Sequence, residues 1–193
     1  MNLQTVEQAR DLFRLLGKAF ECPDDDWWRP GVDDQVLIDI EQRLGIKLPD
    51  EYVAIFKQFN GFMVRVSLLH GGELFTGFEL SPIESWEDPE SIEAIQDYFG
   101  LTGTDISESE FAETAISSRG PVKKMLWHPR WFPLTFPSAH YAWYADFSPE
   151  PGGRDGQVVF VNSQDYDNVV VEVVAADFFS FMSLVIESAP LDR

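Results

Sequence analysis

The apolar residues of this chain keep a helical spacing in its first third and change to a strand spacing in its last third. The first stripe recurs at steps of three and four residues, which predicts an amphipathic helix over residues 3–20. Its members are Val6, Ala9, Phe13, Leu16 and Phe20. The prolines and aspartates between Pro23 and Gly31 break this helix and predict a linker, which Trp27 and Trp28 anchor.

Two further short helices follow, and each has its own start and stop signals. Asp33 or Asp34 can cap the first, and Gly45 supplies the positive φ that ends it. Pro49 suits the first helical position of the second, which Asn60-Gly61 stops. The apolar stripes are Val36, Leu37, Ile40 and Leu44 in the first helix, and Tyr52, Ile55, Phe56 and Phe59 in the second.

The middle of the chain combines a hairpin pattern with an acidic segment. Two apolar runs, 62–69 and 73–80, flank Gly71-Gly72 and predict paired strands. Ser81-Pro82 then opens an acidic segment that we expect to be helical, followed by a polar loop up to Pro121.

Three strand patterns fill the last third. Apolar residues alternate from Tyr141 to Phe147, while 157–161 and 169–174 are apolar or β-branched. A closing helix presents Phe178, Phe181, Met182 and Val185. Helices, then sheet, then a helix predict an α+β fold with a central, mainly antiparallel or mixed sheet and helices packed on it. We expect one domain over residues 1–193, because 45% hydrophobic residues can build a core at this length.

The net charge limits the class of partner. The chain has 33 Asp and Glu against 14 Lys and Arg, a formal charge of −19. Such a charge repels phosphate backbones, so we expect no nucleic-acid partner. Residues 1–8 lack the features of a signal peptide, and no run approaches the length of a membrane span. These features predict a cytoplasmic protein with no membrane partner.

The residues that could ligate a metal or act as a nucleophile are few. Cys22 is the single cysteine, and it lies near Glu21 and Asp24 rather than near a cation that would favour the thiolate. The three histidines, at 70, 128 and 140, do not have the spacing that puts two ligands on one helix face. We therefore expect no metal site and no catalytic residue.

The most informative pattern is an acidic stretch with no basic residue. No Lys or Arg lies between Arg65 and Arg119, an interval that holds twelve Asp and Glu. The stretch is either a solvated helix with an apolar inner face or a surface that docks a basic protein through acids and aromatic anchors. The candidate partner-binding residues are Glu84, Trp86, Glu87, Asp88, Glu90, Glu93 and Asp97. Residues 24–28 form a second, shorter patch of the same kind.

Four blocks of residues occur in an order that resembles the SUKH superfamily, which includes fungal cell-wall-synthesis regulators and bacterial immunity proteins. The resemblance covers roughly residues 27–186. Its motif residues here are Leu48, Pro49, Tyr52, Asn60, Gly61, Trp127, Pro129, Trp131, Pro133, Asp146, Gly156 and Gln157. The types of these residues favour scaffold roles, because large aromatic rings bury area and glycines permit turns.

The resemblance implies an α+β fold, no cofactor and action by binding. The leading hypothesis is a non-enzymatic immunity protein that neutralises a cognate toxin, with a basic nuclease-type domain as the partner. The alternative is a protein-interaction scaffold in a cell-wall or signalling pathway. A hydrolase that uses scattered carboxylates is a third interpretation, which a pH-dependent activity lost on mutation of one or two acids would reveal.

Overall fold

The computed structural model describes residues 3–19, 28–62, 66–70, 73–78, 80–86, 116–135, 141–162 and 169–188. The chain divides into two compact units, one formed by Met1–Ile83 with Asp177–Arg193 and the other by Glu84–Ala176. Helices dominate the first unit and a sheet dominates the second, so the predicted α+β class is confirmed. A single domain over residues 1–193 stays a prediction.

The described residues of the first unit form four α-helices where the sequence predicts them. They are α1 (Leu3–Ala19), α2 (Asp34–Leu44), α3 (Asp50–Gln58) and α4 (Phe178–Ser188). The buried face of α1 includes Ala9, Leu12 and Leu16, of which Leu12 is absent from the predicted stripe. Gly45 ends α2 in the left-handed conformation, with φ of 62° and its N–H donating to the Glu41 carbonyl.

Both ends of α3 differ from the prediction. Pro49 is the N-cap residue rather than the first helical residue, because its ψ of 151° is extended. Its carbonyl accepts the N–H of Tyr52. The helix ends at Gln58, and β2 (Phe59–Phe62) begins at once. Strand β2 pairs antiparallel with β1 (Trp28–Pro30), so the linker predicted there is wrong for these three residues.

A hairpin and an aromatic cluster complete the first unit. Strands β3 (Val66–His70) and β4 (Glu73–Phe78) are antiparallel, with His70 opposite Glu73, which confirms the predicted hairpin. The ring of Tyr52, on α3, stacks on Phe178, on α4, with 4.4 Å between the centroids. These rings join α3 to α4 by burying large apolar area.

The second unit is built on a five-stranded mixed sheet. Its strands are β5 (Ile116–Arg119), β6 (Trp131–Pro133), β7 (Tyr141–Asp146), β8 (Gln157–Asn162) and β9 (Val169–Ala175), in the order β5-β9-β8-β7-β6. All neighbours are antiparallel except β5 and β9, which run parallel. The polar loop predicted up to Pro121 is wrong for residues 116–119, which form the parallel edge strand.

Both faces of this sheet are covered. Every β7 residue after Tyr141 is buried, although the alternation in its sequence is typical of a strand with one exposed face. One cluster of buried residues consists of Ile116, Val122, Met125, Trp127, Trp131, Ala142, Tyr144, Val159, Val161, Val169 and Val171. A second aromatic pair, Trp143 and Phe160, packs with 4.8 Å between its centroids.

Candidate interaction surface and its scaffold

The acidic segment, which the sequence predicts to be helical, begins with a short 3₁₀ helix, Ile83–Trp86, and continues into residues outside the described ranges. Glu84 is exposed on this helix, whereas Trp86 is completely buried. The Trp86 ring stacks on Phe132 with 5.2 Å between centroids and meets Phe147 edge-on at 6.0 Å. Trp86 therefore belongs to the core, and the prediction that it contacts a partner is wrong because its indole has no exposed face.

The rest of the predicted partner-binding set falls outside the described residues. This holds for Glu87, Asp88, Glu90, Glu93 and Asp97. It also holds for residues 24–27 of the second acidic patch, whose last member, Trp28, is half-buried with its ring against Phe13. Within the described part of the chain, Glu84 is thus the member of the acidic set that lies at the surface.

The motif residues of the second unit meet at the carboxylate of Asp146. Its Oδ1 accepts the indole N–H of Trp131 at 2.9 Å and the backbone N–H of Ser148 at 2.7 Å. Its Oδ2 accepts Nε2–H of Gln157 at 2.9 Å, and the same amide nitrogen donates to the Pro121 carbonyl at 2.9 Å. The carboxylate therefore joins β6, β7 and β8, and Gln157 extends the network to the loop after β5. We call this arrangement the Asp146 node.

Backbone groups also contribute a hydrogen bond to the Asp146 node. Gly156 has φ of 80° and its N–H donates to the Asp146 carbonyl at 2.7 Å. Because L side chains rarely adopt this conformation, a glycine at 156 lets the turn bring Gln157 back beside Asp146. Both Asp146 and Gln157 are buried, so the node acts as internal scaffold.

Two opposing influences set the pKa of Asp146. Burial, the largest, disfavours the charged form and raises the pKa above its ordinary value of 3.8. Hydrogen bonds from Ser148, Gln157 and Trp131 favour the charged form, and the negative charge of Asp155 disfavours it. The net direction is upward, so the folded state binds this proton more tightly than the unfolded chain does.

This direction predicts how stability changes with pH. Where the folded state binds more protons than the unfolded state, the free energy of unfolding falls as pH rises. The fall that Asp146 causes begins near its unfolded pKa of 3.8 and ends above its raised folded pKa. Urea unfolding of the wild type and of Asp146→Asn, from about pH 3.5 to about pH 7, isolates this contribution.

We expect the stability of the wild type relative to Asp146→Asn to fall as pH rises across this window, because the amide does not titrate. A difference that rises with pH would mean that the three hydrogen bonds outweigh burial. That outcome would contradict a raised pKa for Asp146.

The motif residues of the first unit also make scaffold contacts. The backbone N–H of Leu48, before α3, donates to Oε1 of Glu41 at 2.8 Å. Oδ1 of the buried Asn60 accepts the N–H of Ile83 at 2.9 Å. Gly61 has φ of 87° and lies against the Leu80 carbonyl, which accepts the N–H of the next residue, Phe62.

The remaining motif residues lie around β6. Trp127, Trp131 and Pro133 are buried, whereas Pro129 is exposed. No group of three or more His, Cys, Asp or Glu that could hold a metal ion occurs within the described ranges. A search of the same residues finds no helix that is long and apolar enough to cross a membrane.

The described motif residues of this α+β chain thus contribute mainly to its scaffold. The sequence model of the SMI1 / KNR4 family (SUKH-1) matches residues 31–184, so the chain belongs to this family. Members of the family bind partner proteins and are generally not enzymes. No curated protein matches the chain at a significant level.

Proposed function

We propose that this chain is a non-enzymatic immunity protein that binds a cognate polymorphic toxin in the cytoplasm and neutralises it. The family supports a binding role, which is compatible with either immunity or regulation. The observation that carries the immunity proposal is charge: twelve acids and no base between Arg65 and Arg119, in a chain of net charge −19. A basic nuclease-type domain is the partner that complements this charge.

The proposed mechanism is steric and electrostatic. A nuclease needs a basic groove to hold phosphates, and an acidic inhibitor that fills the groove excludes the substrate. Attraction between opposite potentials can raise association rates to about 10⁸ M⁻¹s⁻¹ or more at low salt. Glu84 is exposed at the start of the segment and the five acids that follow it in the candidate set continue the same charge.

Charge reversal of three acids tests this proposal. We expect Glu87→Lys with Asp88→Lys and Glu90→Lys to weaken toxin binding by about 10-fold to 100-fold near 0.15 M salt, mainly through slower association. The tagged protein captures its partner from lysate of its own source, with stepwise salt elution and mass spectrometry. Surface plasmon resonance on the captured domain then gives the rate constants.

A matched variant controls for net charge. Glu7, Glu150 and Glu187 are exposed and lie outside the acidic segment, so their reversal changes the charge of the chain by the same amount. Retained affinity in this control, with loss in the test variant, supports the acidic segment as the binding surface. Equal loss in both variants would mean that only net charge matters, and unchanged affinity in the test variant would contradict the proposed surface.

The alternative is an interaction scaffold in a cell-wall or signalling pathway, which is equally compatible with the family. The same capture experiment distinguishes the two functions. A basic toxin domain that elutes only at high salt supports immunity. Recovery of envelope or signalling proteins, with elution that does not depend on salt, would replace the immunity proposal by the scaffold.

A further inference from the structure

The exposed face of α1 carries a row of four charged residues in a definite order. They lie at steps of four, three and four residues, which places them on one side of the helix. Two acids come first and two bases follow, and all four are exposed: Glu7, Asp11, Arg14 and Lys18. The row is therefore neutral as a whole, with a negative end towards the N-terminus and a positive end towards the C-terminus. We call it the α1 charge stripe.

This order of charges does little to stabilise α1 itself. Glu7 and Asp11 are like charges at i,i+4, a spacing at which like charges destabilise a helix. The same holds for Arg14 and Lys18. Asp11 and Arg14 form an ion pair at i,i+3, with 3.0 Å between their charged groups, but both side chains are exposed, where such a pair contributes little. The helix dipole acts within the first and last turns, and therefore does not explain charges near the middle of α1.

The α1 charge stripe is complementary to itself when two copies of α1 are antiparallel. A two-fold axis at the level between residues 12 and 13 places Glu7 of one copy opposite Lys18 of the other. It also places Asp11 opposite Arg14, because the members of each pair are equally distant from the axis along the helix. Every pair occurs twice about a two-fold axis, so each charge of the two stripes meets an opposite charge. A parallel arrangement in the same register would instead oppose like charges.

An apolar groove of about 220 Å³ lies beside the stripe, between α1 and α4. Its apolar lining consists of Leu12 and Leu15 from α1 and Phe179 and Ile186 from α4. Leu15 is 48% exposed. The axis that pairs the charges brings Leu15 of one copy to the level between Gln8 and Leu12 of the other, where the groove of that copy lies. An exposed apolar side chain therefore meets an apolar groove on each side of the axis.

The distribution of net charge also favours α1 as the contact between two copies. At −19, two copies of the chain repel each other through their overall charge. The helix α1 differs from the chain as a whole, because it contains two acids and three bases. A contact between two copies of α1 therefore lacks the like-charge repulsion that an acidic helix would bring.

We propose that the α1 charge stripe and the adjoining groove form a self-association surface, through which two copies of this chain dimerise with their α1 helices antiparallel. The 17 residues of α1 extend about 26 Å at about 1.5 Å per residue. One helix pair of this length covers less than the roughly 1,200–2,000 Å² of a stable interface. We therefore expect a weak dimer, with a dissociation constant of about 0.1 mM.

Sedimentation velocity of the intact chain tests the dimer, from about 10 μM to about 1 mM protein in about 0.15 M salt. We expect the sedimentation coefficient to rise with concentration as monomer converts to dimer. Glu7→Lys with Asp11→Lys makes the stripe wholly basic and should raise the dissociation constant by about 10-fold or more, because like charges then face each other. The same variant lowers the net negative charge, so overall repulsion alone predicts the opposite result, a tighter dimer.

The matched control for net charge is Glu150→Lys with Asp155→Lys. Both residues are exposed and lie outside α1, on the loop between β7 and β8. This control makes the same change in net charge, and we expect its dissociation constant to be equal to that of the wild type or lower. A loss of dimer equal to that of the test variant would assign the effect to net charge and overturn the proposal.

A charge-swapped variant checks the antiparallel pairing. Glu7→Lys and Asp11→Lys are combined with Arg14→Glu and Lys18→Glu, so the net charge equals that of the wild type. Every acid–base pair across the axis is restored with its members exchanged, and the dissociation constant should return to within about threefold of the wild-type value. A charge-swapped variant that dimerises as poorly as Glu7→Lys with Asp11→Lys would contradict the pairing.

Leu15→Gln tests the apolar part of the surface. It should weaken the dimer by about fivefold or more, because the contact between the leucine side chain and the groove is lost. Ile38→Gln is the matched control, since Ile38 is 42% exposed but lies on α2. Equal effects of the two substitutions would exclude the groove from the interface and overturn the proposed surface.

The monomeric state is the most direct contrary result. A chain that stays monomeric at about 1 mM would overturn the proposal and leave a helix of another protein as the occupant of the groove. These measurements use the chain alone and need no toxin. The self-association surface and the proposed immunity function can therefore fail separately.

Discussion

Replacement of Asp146 by alanine should lower the free energy of unfolding by about 2–6 kcal/mol, because it leaves two donors without the acceptor that they have in the folded protein. The change strands the indole N–H of Trp131 and the N–H of Ser148, both of which donate to Oδ1. It also leaves Gln157 with the Pro121 carbonyl alone as the acceptor of its amide N–H. Each buried donor without an acceptor costs about 1–3 kcal/mol.

Asparagine at 146 should cost less than alanine. Its Oδ1 can still accept from Trp131 and Ser148, but its amide N–H₂ would face the donating Nε2 of Gln157. Urea unfolding at neutral pH, followed by tryptophan fluorescence, gives both values. A loss below about 1 kcal/mol for alanine would mean that removal of a buried charge offsets the lost bonds, and would contradict the importance of the Asp146 node.

Much of the helical part of the fold could be predicted, because its signals are local. The period of apolar residues marks a helix wherever it occurs, and Gly45 ends α2 through a conformation that depends on that residue alone. The strands β7, β8 and β9 are also visible locally, because apolar and β-branched residues fill each of them. The errors at α3 are shifts of its first and last residues, because more than one residue near each end could serve as the cap.

Short strands whose partners are remote could not be predicted. Strand β5 reads as a polar loop, since Ile116 is its one apolar residue and Ser117, Ser118 and Arg119 follow. It becomes a strand because β9, about fifty residues later, offers its hydrogen-bonding edge. Strand β1 also depends on a partner that is remote in the sequence, because α2 and α3 separate it from β2.

The direction in which an aromatic side chain points was the main error at the candidate site. Trp86 lies among acids, a pattern that fits an interface anchor and a buried core residue equally well. The structure distinguishes the two by its contacts with Phe132 and Phe147.

Replacement of Gly61 by alanine should also destabilise the protein strongly, by about 3 kcal/mol or more. The residue has φ of 87°, a conformation that costs an L side chain about 1–2 kcal/mol. A Cβ there would lie 2.4 Å from the Leu80 carbonyl oxygen, so the backbone would have to move. That movement would disturb the bond from Phe62 N–H to Leu80 and the adjacent bond from Ile83 N–H to Asn60.

Gly45 supplies the matched control for this substitution. Its φ is 62° and an added Cβ would meet nothing within 4 Å, so Gly45→Ala isolates the conformational cost of about 1–2 kcal/mol. The difference in urea midpoint between the two variants measures the cost of the close approach between β2 and Leu80. Equal losses would mean that this segment relaxes freely, and that the Asn60-Gly61 motif acts only through its backbone conformation.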